Sequence, residues 1–325
     1  MLTAYSYYEP TEEAKIQKKM KQNPFFLQEL EIAEDYVREN NYTKKERTCC
    51  PMCGSEEIRF FYEKWRVVYQ RCERCFSVFT NTDESGSAAY QNNSELIRLR
   101  TSAAYQEYGL EARKNRWIEQ IDWIKFRSFR YLKKTPKRVL DIGTRWTGLT
   151  DMTRDELGRE KYQVERSILF PNTEAFGTDE EKWEIVLAMD YLQQEAEPEE
   201  FFSNLANRLR RGGLLFISTK LGSGIDILTL RENNTSVYPY EHIMLPSRKG
   251  VQLLLEKVGF EVLEFTTPGT FDLNYIKENK EDLGDSEYFL KYFLSTASPS
   301  AEADFQRFIQ KSGLSSYAQI VARKR

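Results

Sequence analysis

The sequence predicts an α/β fold built on a mostly parallel sheet and preceded by a small cysteine-bound unit. Three observations carry this. From residue 137 onward, short apolar strands alternate with amphipathic helices. Four of the five cysteines fall in two C-x-x-C pairs separated by 18 residues. The chain of 325 residues is 40% hydrophobic and 30% charged, a globular composition. No window approaches the roughly 18 consecutive apolar residues of a membrane-spanning helix.

The elements follow in order. Residues 11–40 read as a helix broken at Asn23-Pro24, because proline removes a backbone donor and restricts its predecessor. Between the cysteine pairs, IRFFYEKWRVVYQRC is rich in β-branched and aromatic residues and reads as strands. Residues 81–93 are small and polar, a linker. A long helical tract runs from about Ser94 to Lys134, with Trp117, Ile121, Ile124 and Phe129 as its buried stripe. Then come the strands RVLDIG (138–143), KYQVER (161–166) and WEIVLAMD (183–190). A helix over 198–213 starts at a proline and ends in basic residues and glycine. Strand LLFIST (214–219) precedes a helix over 247–260 that has Ser247 as N-cap and Gly259 at its close. Strands EVLEFTT (261–267) and SYAQIVARKR (316–325) complete the set, with a partly helical insertion at 268–315 between them that reads as either a dimer element or a lid. The implied division is an N-terminal helical segment (1–48), a cysteine unit (49–82), a linker and helical region (83–134) and the α/β domain (135–325).

Cys50-Pro-Met-Cys53-Gly and Cys72-Glu-Arg-Cys75 have the spacing of a zinc ribbon, in which two tight turns bring four thiolates into a tetrahedron. Four protein ligands leave no open position, so the zinc is expected to be structural. Cys49 is left over. The absence of a basic flank or apolar run near Met1 argues against a signal peptide, and clustered free thiols point to a reducing cytoplasm. A net charge of -3 argues against bulk attraction to nucleic acid or anionic lipid.

The run RVLDIG, WEIVLAMDYL, FFSNLANRLRRGGLLFIST, YEHIMLPSRKGVQLLLEKVGFEVLEFTTPGTFD and LSSYAQIVARK, in this order and spacing, resembles the class I S-adenosylmethionine (SAM)-dependent methyltransferases. The resemblance is to the bacterial group with an N-terminal zinc ribbon, found in sugar and surface-polysaccharide pathways, and it covers roughly residues 49–325. It implies a Rossmann-like class I methyltransferase sheet and binding of SAM. It places Asp141, Gly143, Thr144 and Gly148 on the cofactor loop, Glu165 on the ribose hydroxyls and Asp190 at the methyl-transfer face. The sequence departs from the family's D-x-G-x-G-x-G loop. Arg145 stands at the middle glycine, Gly148 is one position late, and only 17 residues (166–182) lie between Glu165 and Trp183. Gln193-Gln194 replace a glutamate–histidine pair often seen after the fourth strand.

His242, the only histidine, sits in Tyr238-Pro-Tyr-Glu-His242 on the segment that borders the substrate in that family. It reads either as a general base or as a residue that packs the loop. Residues 98–138 carry twelve Lys/Arg against four acids with interleaved aromatics. That pattern fits a basic solvated helix face better than an RNA surface. Three functions follow: a methyltransferase acting on a sugar, sugar nucleotide or related small metabolite; a methyltransferase-like binding protein without SAM; and, least favoured, a nucleic-acid binder.

Overall fold

The computed structural model describes residues 24–39, 47–81, 89, 90, 92–142, 163–166 and 182–325. Helix α1 (Pro24–Glu39) begins at the expected proline. Strands β1 (Ile58–Lys64), β2 (Val67–Cys72) and β3 (Val78–Thr80) form an antiparallel ribbon around the cysteines. The helical tract is two helices, α2 (Ser94–Thr101) and α3 (Ala103–Leu132). Ser102 separates them: it adopts an extended backbone and its side chain accepts the Tyr105 N–H, so it ends one helix and caps the next.

The α/β domain comprises β4 (Arg138–Asp141), β5 (Gln163–Arg166), β6 (Trp183–Met189), α4 (Pro198–Arg208), β7 (Leu209–Lys220) and α5 (Ile225–Leu230). It continues with β8 (Met244–Leu245), α6 (Arg248–Lys257), β9 (Phe260–Thr266), helices α7 (Asp272–Glu278), α8 (Tyr288–Thr296) and α9 (Pro299–Lys311), and β10 (Tyr317–Lys324). The main sheet has the order β5-β4-β6-β7-β10-β9 among the described residues. β5, β4, β6 and β7 run parallel, and β10 lies antiparallel between β7 and β9. The chain passes from β4 outward to β5 and then back to β6 on the other side. That reversal makes a topological switch point, where an open α/β sheet leaves a crevice at the carboxyl ends of its strands. The architecture is the Rossmann-like sheet that the sequence predicts.

Two expectations need correction. Phe129 is not part of the buried stripe of α3; it is 66% exposed. Trp117, Ile121 and Ile124 do pack on the sheet, against Val139, Ile185, Leu187 and Phe216. In the last turns, however, the inward face carries Arg127, whose Nε donates to Glu264 Oε2 of β9 at 2.5 Å. A buried charge with a partner is tolerable where an unpaired one is not. The helix predicted over 198–213 stops at Arg208, because Leu209 already pairs with Trp183 as a strand. Gly212, at φ +76°, takes up the irregularity in that strand.

The ribbon is not a separate bead. β8, contributed by the α/β domain, pairs with β3 and completes a four-stranded sheet of order β1-β2-β3-β8. Cys50, Met52, Cys72, Cys75 and Phe79 share one apolar core with Leu140, Val186, Leu215, Val251 and Leu254. At the seam, Gly250 lies so close to Ser77 that an added Cβ would stand 2.2 Å from its Oγ.

Candidate active site and metal centre

At the switch point the carboxyl ends of four parallel strands come together. Asp141 ends β4 and is fully buried; it stands in register with Arg166 of β5 and Leu187 of β6. The chain leaves β4 through Ile142, whose N–H donates to the Leu187 carbonyl at 2.9 Å. Gly143, Thr144 and Gly148 lie outside the described residues. Glu165 is placed by its strand alone, in register with Leu140 one position below the edge.

Asp190 follows β6 in a left-handed conformation, φ +53°, uncommon for a residue with a side chain. Three bonds to one serine hold it there. The Asp190 N–H donates to both the carbonyl and Oγ of Ser218 at 2.9 Å, and Ser218 Oγ–H donates to Asp190 Oδ1 at 2.8 Å. Strain of this kind persists only where surroundings over-determine it, and such positions cluster at functional sites. The next turn is pinned to the same strand: Gln193 Oε1 accepts from Lys220 N at 3.1 Å and from Thr219 Oγ1 at 3.3 Å. Gln193, which stands where a charged pair was sought, thus organises the edge instead. Ser218 carries no motif and was not anticipated; only its place near the end of a buried strand marks it.

His242 is 6% exposed and lies on the segment beyond β7. Its Nδ1 accepts the Tyr238 N–H at 2.9 Å. The Tyr238 carbonyl, 3.2 Å from the same nitrogen, already receives the N–H groups of Glu241 and His242 at 3.1 and 2.8 Å. With the Tyr238 N–H aimed at Nδ1, we assign the proton of the neutral ring to Nε2, which makes His242 a donor. Burial, then the positive charge of Lys220, hold its pKa well below the ordinary histidine value; Lys64 and Arg100 add to this, and the Tyr238 backbone opposes it. The Tyr238 N–H occupies the Nδ1 lone pair, so a catalytic role for His242 falls to Nε2.

A polar network extends from this edge. Lys220 Nζ donates to Ser236 Oγ at 2.8 Å, Ser236 Oγ donates to Asn234 Oδ1 at 2.7 Å, and Asn234 Nδ2 donates to Asp226 Oδ2 at 3.0 Å. Lys64, at the end of β1, donates its ammonium to the Asn234 carbonyl at 2.6 Å.

The four predicted ligand cysteines do converge. The Sγ atoms of Cys50, Cys53, Cys72 and Cys75 all lie within 4.8 Å of one another, with 3.6 Å between Cys50 and Cys75 and between Cys53 and Cys72. A tetrahedron with Zn–S bonds of about 2.3 Å has edges of roughly 3.8 Å, so the donor set fits zinc. Gly54 and Phe76, which follow the second cysteine of each pair, turn the chain with φ of +71° and +67°. The thiols do not carry charge comfortably together. A hydrogen bond from Cys50, followed by the bonds of Ser77, draws Cys75 down to about 5 against burial, while the same contact and burial push Cys50 far up. A divalent cation resolves that conflict by stabilising all four thiolates. Cys49 is exposed and stands apart.

A family model described as a methyltransferase domain matches residues 110–265, from within α3 to β9. No curated protein matches the sequence. Among solved structures, the plantazolicin methyltransferase BpumL in complex with SAH is similar at 11% identity and a TM-score of 0.44, over 74% of this chain and 95% of that one. Coclaurine N-methyltransferase bound to N-methylheliamine and SAH is similar at 13% identity and TM-score 0.39, over 64% and 72%. The [4+2]-cyclase SpnF follows at 16% and 0.35, over 62% and 80%. Likeness at this level bears on neither activity nor substrate. Among the described residues no helix is long and apolar enough to cross a membrane.

Proposed function

We propose that the chain is a SAM-dependent methyltransferase acting on a hydroxyl or carbon of a sugar or related small metabolite, such as a sugar nucleotide or glycan precursor, with structural zinc on Cys50, Cys53, Cys72 and Cys75. The observation that carries this reading is Asp190, held in a left-handed conformation by Ser218 at the end of the strand next to that of the buried Asp141, at the switch point of a sheet whose span matches a methyltransferase domain. Bound SAM supplies an electrophilic sulfonium methyl group. The chain's own residues bind and orient. Asp141, Gly143, Thr144 and Gly148 form the cofactor loop, Glu165 accepts from the ribose hydroxyls, and Asp190 borders the methyl. The fixed Nε2–H of His242 orients an acceptor oxygen. Such catalysis is chiefly positioning, which supplies roughly 7–11 kcal/mol in well-aligned systems.

The test is calorimetric titration of the zinc-loaded protein with SAM and S-adenosylhomocysteine. Micromolar binding, lost in Glu165→Ala and Asp141→Ala, is the expected result. A second reading keeps the fold as a binding scaffold without transfer; Arg145 in the loop, in place of the family's glycine, favours it. No heat at millimolar ligand from folded protein would overturn the first reading in favour of the second.

A further inference from the structure

Residues 234–249, which lead from α5 into the first turn of α6 and contain His242, are fastened along their length to the cysteine ribbon, in antiparallel order from Ile243 onward. Lys64 Nζ donates to Asn234 O at 2.6 Å, and Tyr69 Oη donates to His242 O at 3.0 Å. Thr80 N donates to Ile243 O at 2.9 Å, after which Phe79 pairs with Met244 and Val78 with Leu245. Ser77 Oγ then accepts the Ser247 N–H at 3.0 Å, Ser247 Oγ donates to the Cys75 carbonyl, and Lys249 Nζ donates to the Arg74 carbonyl at 2.7 Å. Ser247 is also the N-cap of α6, its Oγ accepting from Gly250 N at 2.9 Å. The chain between the second cysteine pair and β3 is thus joined to the start of a helix that belongs to the α/β domain.

Within the strap, Glu241 and Tyr240 have polar and aromatic neighbours. Arg100 Nη2 of α2 donates to Glu241 Oε1 at 2.5 Å, and Tyr240 meets Tyr36 and Tyr90 at ring centroids 5.1 and 5.6 Å apart. The charged groups that act on the His242 ring come from three elements: Lys220 from β7, Lys64 from β1 and Arg100 from α2. The bond that fixes its tautomer comes from the strap's own backbone at Tyr238. The backbone of 238–242 therefore bears directly on which nitrogen carries the proton.

We propose that the cysteine ribbon is the positioning element of the strap: Tyr69 on β2 and Ser77 just before β3, both tied by the four-cysteine knuckles, fix residues 234–249 so that His242 is held as an Nε2–H donor beside Lys220 at the end of β7. The metal centre serves the site without touching it, because holding the knuckles holds the strap. Only the catalytic consequence rests on the methyltransferase reading; the positioning itself does not.

His242 is the only histidine in the chain, so long-range ¹H–¹⁵N spectra of the full-length, ¹⁵N-labelled, zinc-loaded protein report one imidazole ring. The wild type is expected to show one pyridine-like nitrogen, Nδ1, and one pyrrole-like nitrogen, Nε2, unchanged between pH 8 and 6. In Tyr69→Phe combined with Ser77→Ala the two signals are expected to move toward a tautomer average. Amide exchange at Tyr238 should accelerate about tenfold, the effect of one lost hydrogen bond. Absorption of the cobalt-substituted variant checks that the four thiolates still hold metal. Lys249→Met, which removes only an outlying exposed contact, is the control and should leave the ring unchanged. If the double variant does not load metal, Tyr69→Phe alone, which deletes a single hydroxyl, is read in the same way. An unchanged ring pattern and unchanged Tyr238 exchange in the metal-loaded variant would overturn the proposal. SAM titration of the same samples separates the two readings: loss of SAM binding in the wild type sinks the methyltransferase function and leaves the positioning result standing.

Discussion

Replacing Lys64 with methionine should make the protein's stability less dependent on alkaline pH, and the size of the change follows from where the ammonium sits. Lys64 is 5% exposed and makes one strong bond, to Asn234 O at 2.6 Å. Burial first, and then the positive charge of Lys220, bring its pKa down from 10.5 to about 8. A pKa unit corresponds to about 1.4 kcal/mol, so the folded protein pays roughly 3 kcal/mol to keep this group charged. The sign follows from proton linkage. Between about pH 8 and 10.5 the unfolded chain binds the proton and the folded chain releases it, so stability from this group rises with pH across that window. Below about pH 8 both states are protonated and the full cost is present. Methionine has no such titration. Lys64→Met should therefore gain on the wild type as pH falls from 10.5 to 8, by about 3 kcal/mol, whatever its constant offset from the lost hydrogen bond. Urea unfolding of both proteins at half-unit pH steps between 7 and 10.5 measures that difference. A difference that stays flat across the window would refute the buried, charged lysine and its contact with Asn234.

Asp226 offers the mirror case: it is fully buried, and burial followed by repulsion from Asp272 raises it to about 6. The folded state then holds its proton at pH values where the unfolded chain has lost it, so its contribution falls as pH rises from about 4 to 6. Asp226→Asn should overtake the wild type in thermal stability over that interval, by at most about 3 kcal/mol, because the attraction of Lys220 is lost along with the charge. The β1–β2 turn at Trp65-Arg66 has φ of +50° and +67° at both positions, a geometry that favours glycine or asparagine. Arg66→Gly is expected to stabilise the ribbon by up to about 1 kcal/mol, read as slower exchange of the β1 and β2 amides. Metal analysis of the purified chain should return one zinc per molecule, and Cys72→Ser should lose it and bring down the melting temperature of the whole chain, because the cysteine knuckles share their core with the sheet.

Much of the fold was legible because it is written locally. RVLD, WEIVLAM and FEVLEFT are short apolar runs with turn signals at their ends, and all three are strands. Ser247 announces a helix start because its side chain caps its own backbone three residues on, a relation contained within four residues. The cysteine cluster was legible because two C-x-x-C turns constrain one another through a common ion. What escaped depends on partners far away in sequence. Arg127 takes the inward face in place of Phe129 only because Glu264 waits 137 residues later. β8 is two residues long and carries no strand pattern of its own; it is a strand because β3 lies beside it. His242 stands out in the sequence by its rarity, whereas its tautomer depends on the Tyr238 N–H and could not be read from composition.

The same contrast bears on how the two halves of the chain work together. Of the predicted site residues, Asp141 and Asp190 are held by the sheet itself, through β4 in register with β6 and through Ser218 of β7. His242 is held by the ribbon and by α2 instead, through Tyr69 and, at its neighbour Glu241, through Arg100. A sheet edge of this kind orders itself by its own ladder, whereas a strap of sixteen residues bearing only a two-residue strand must borrow its order. The ribbon supplies it at no fewer than five backbone or side-chain bonds, each contributing roughly 1 kcal/mol. That sum is comparable to the backbone entropy of fixing only a handful of residues. The strap is therefore the part of the site most sensitive to what happens at the cysteines, and perturbations of the metal centre should be felt at His242 before they reach Asp190.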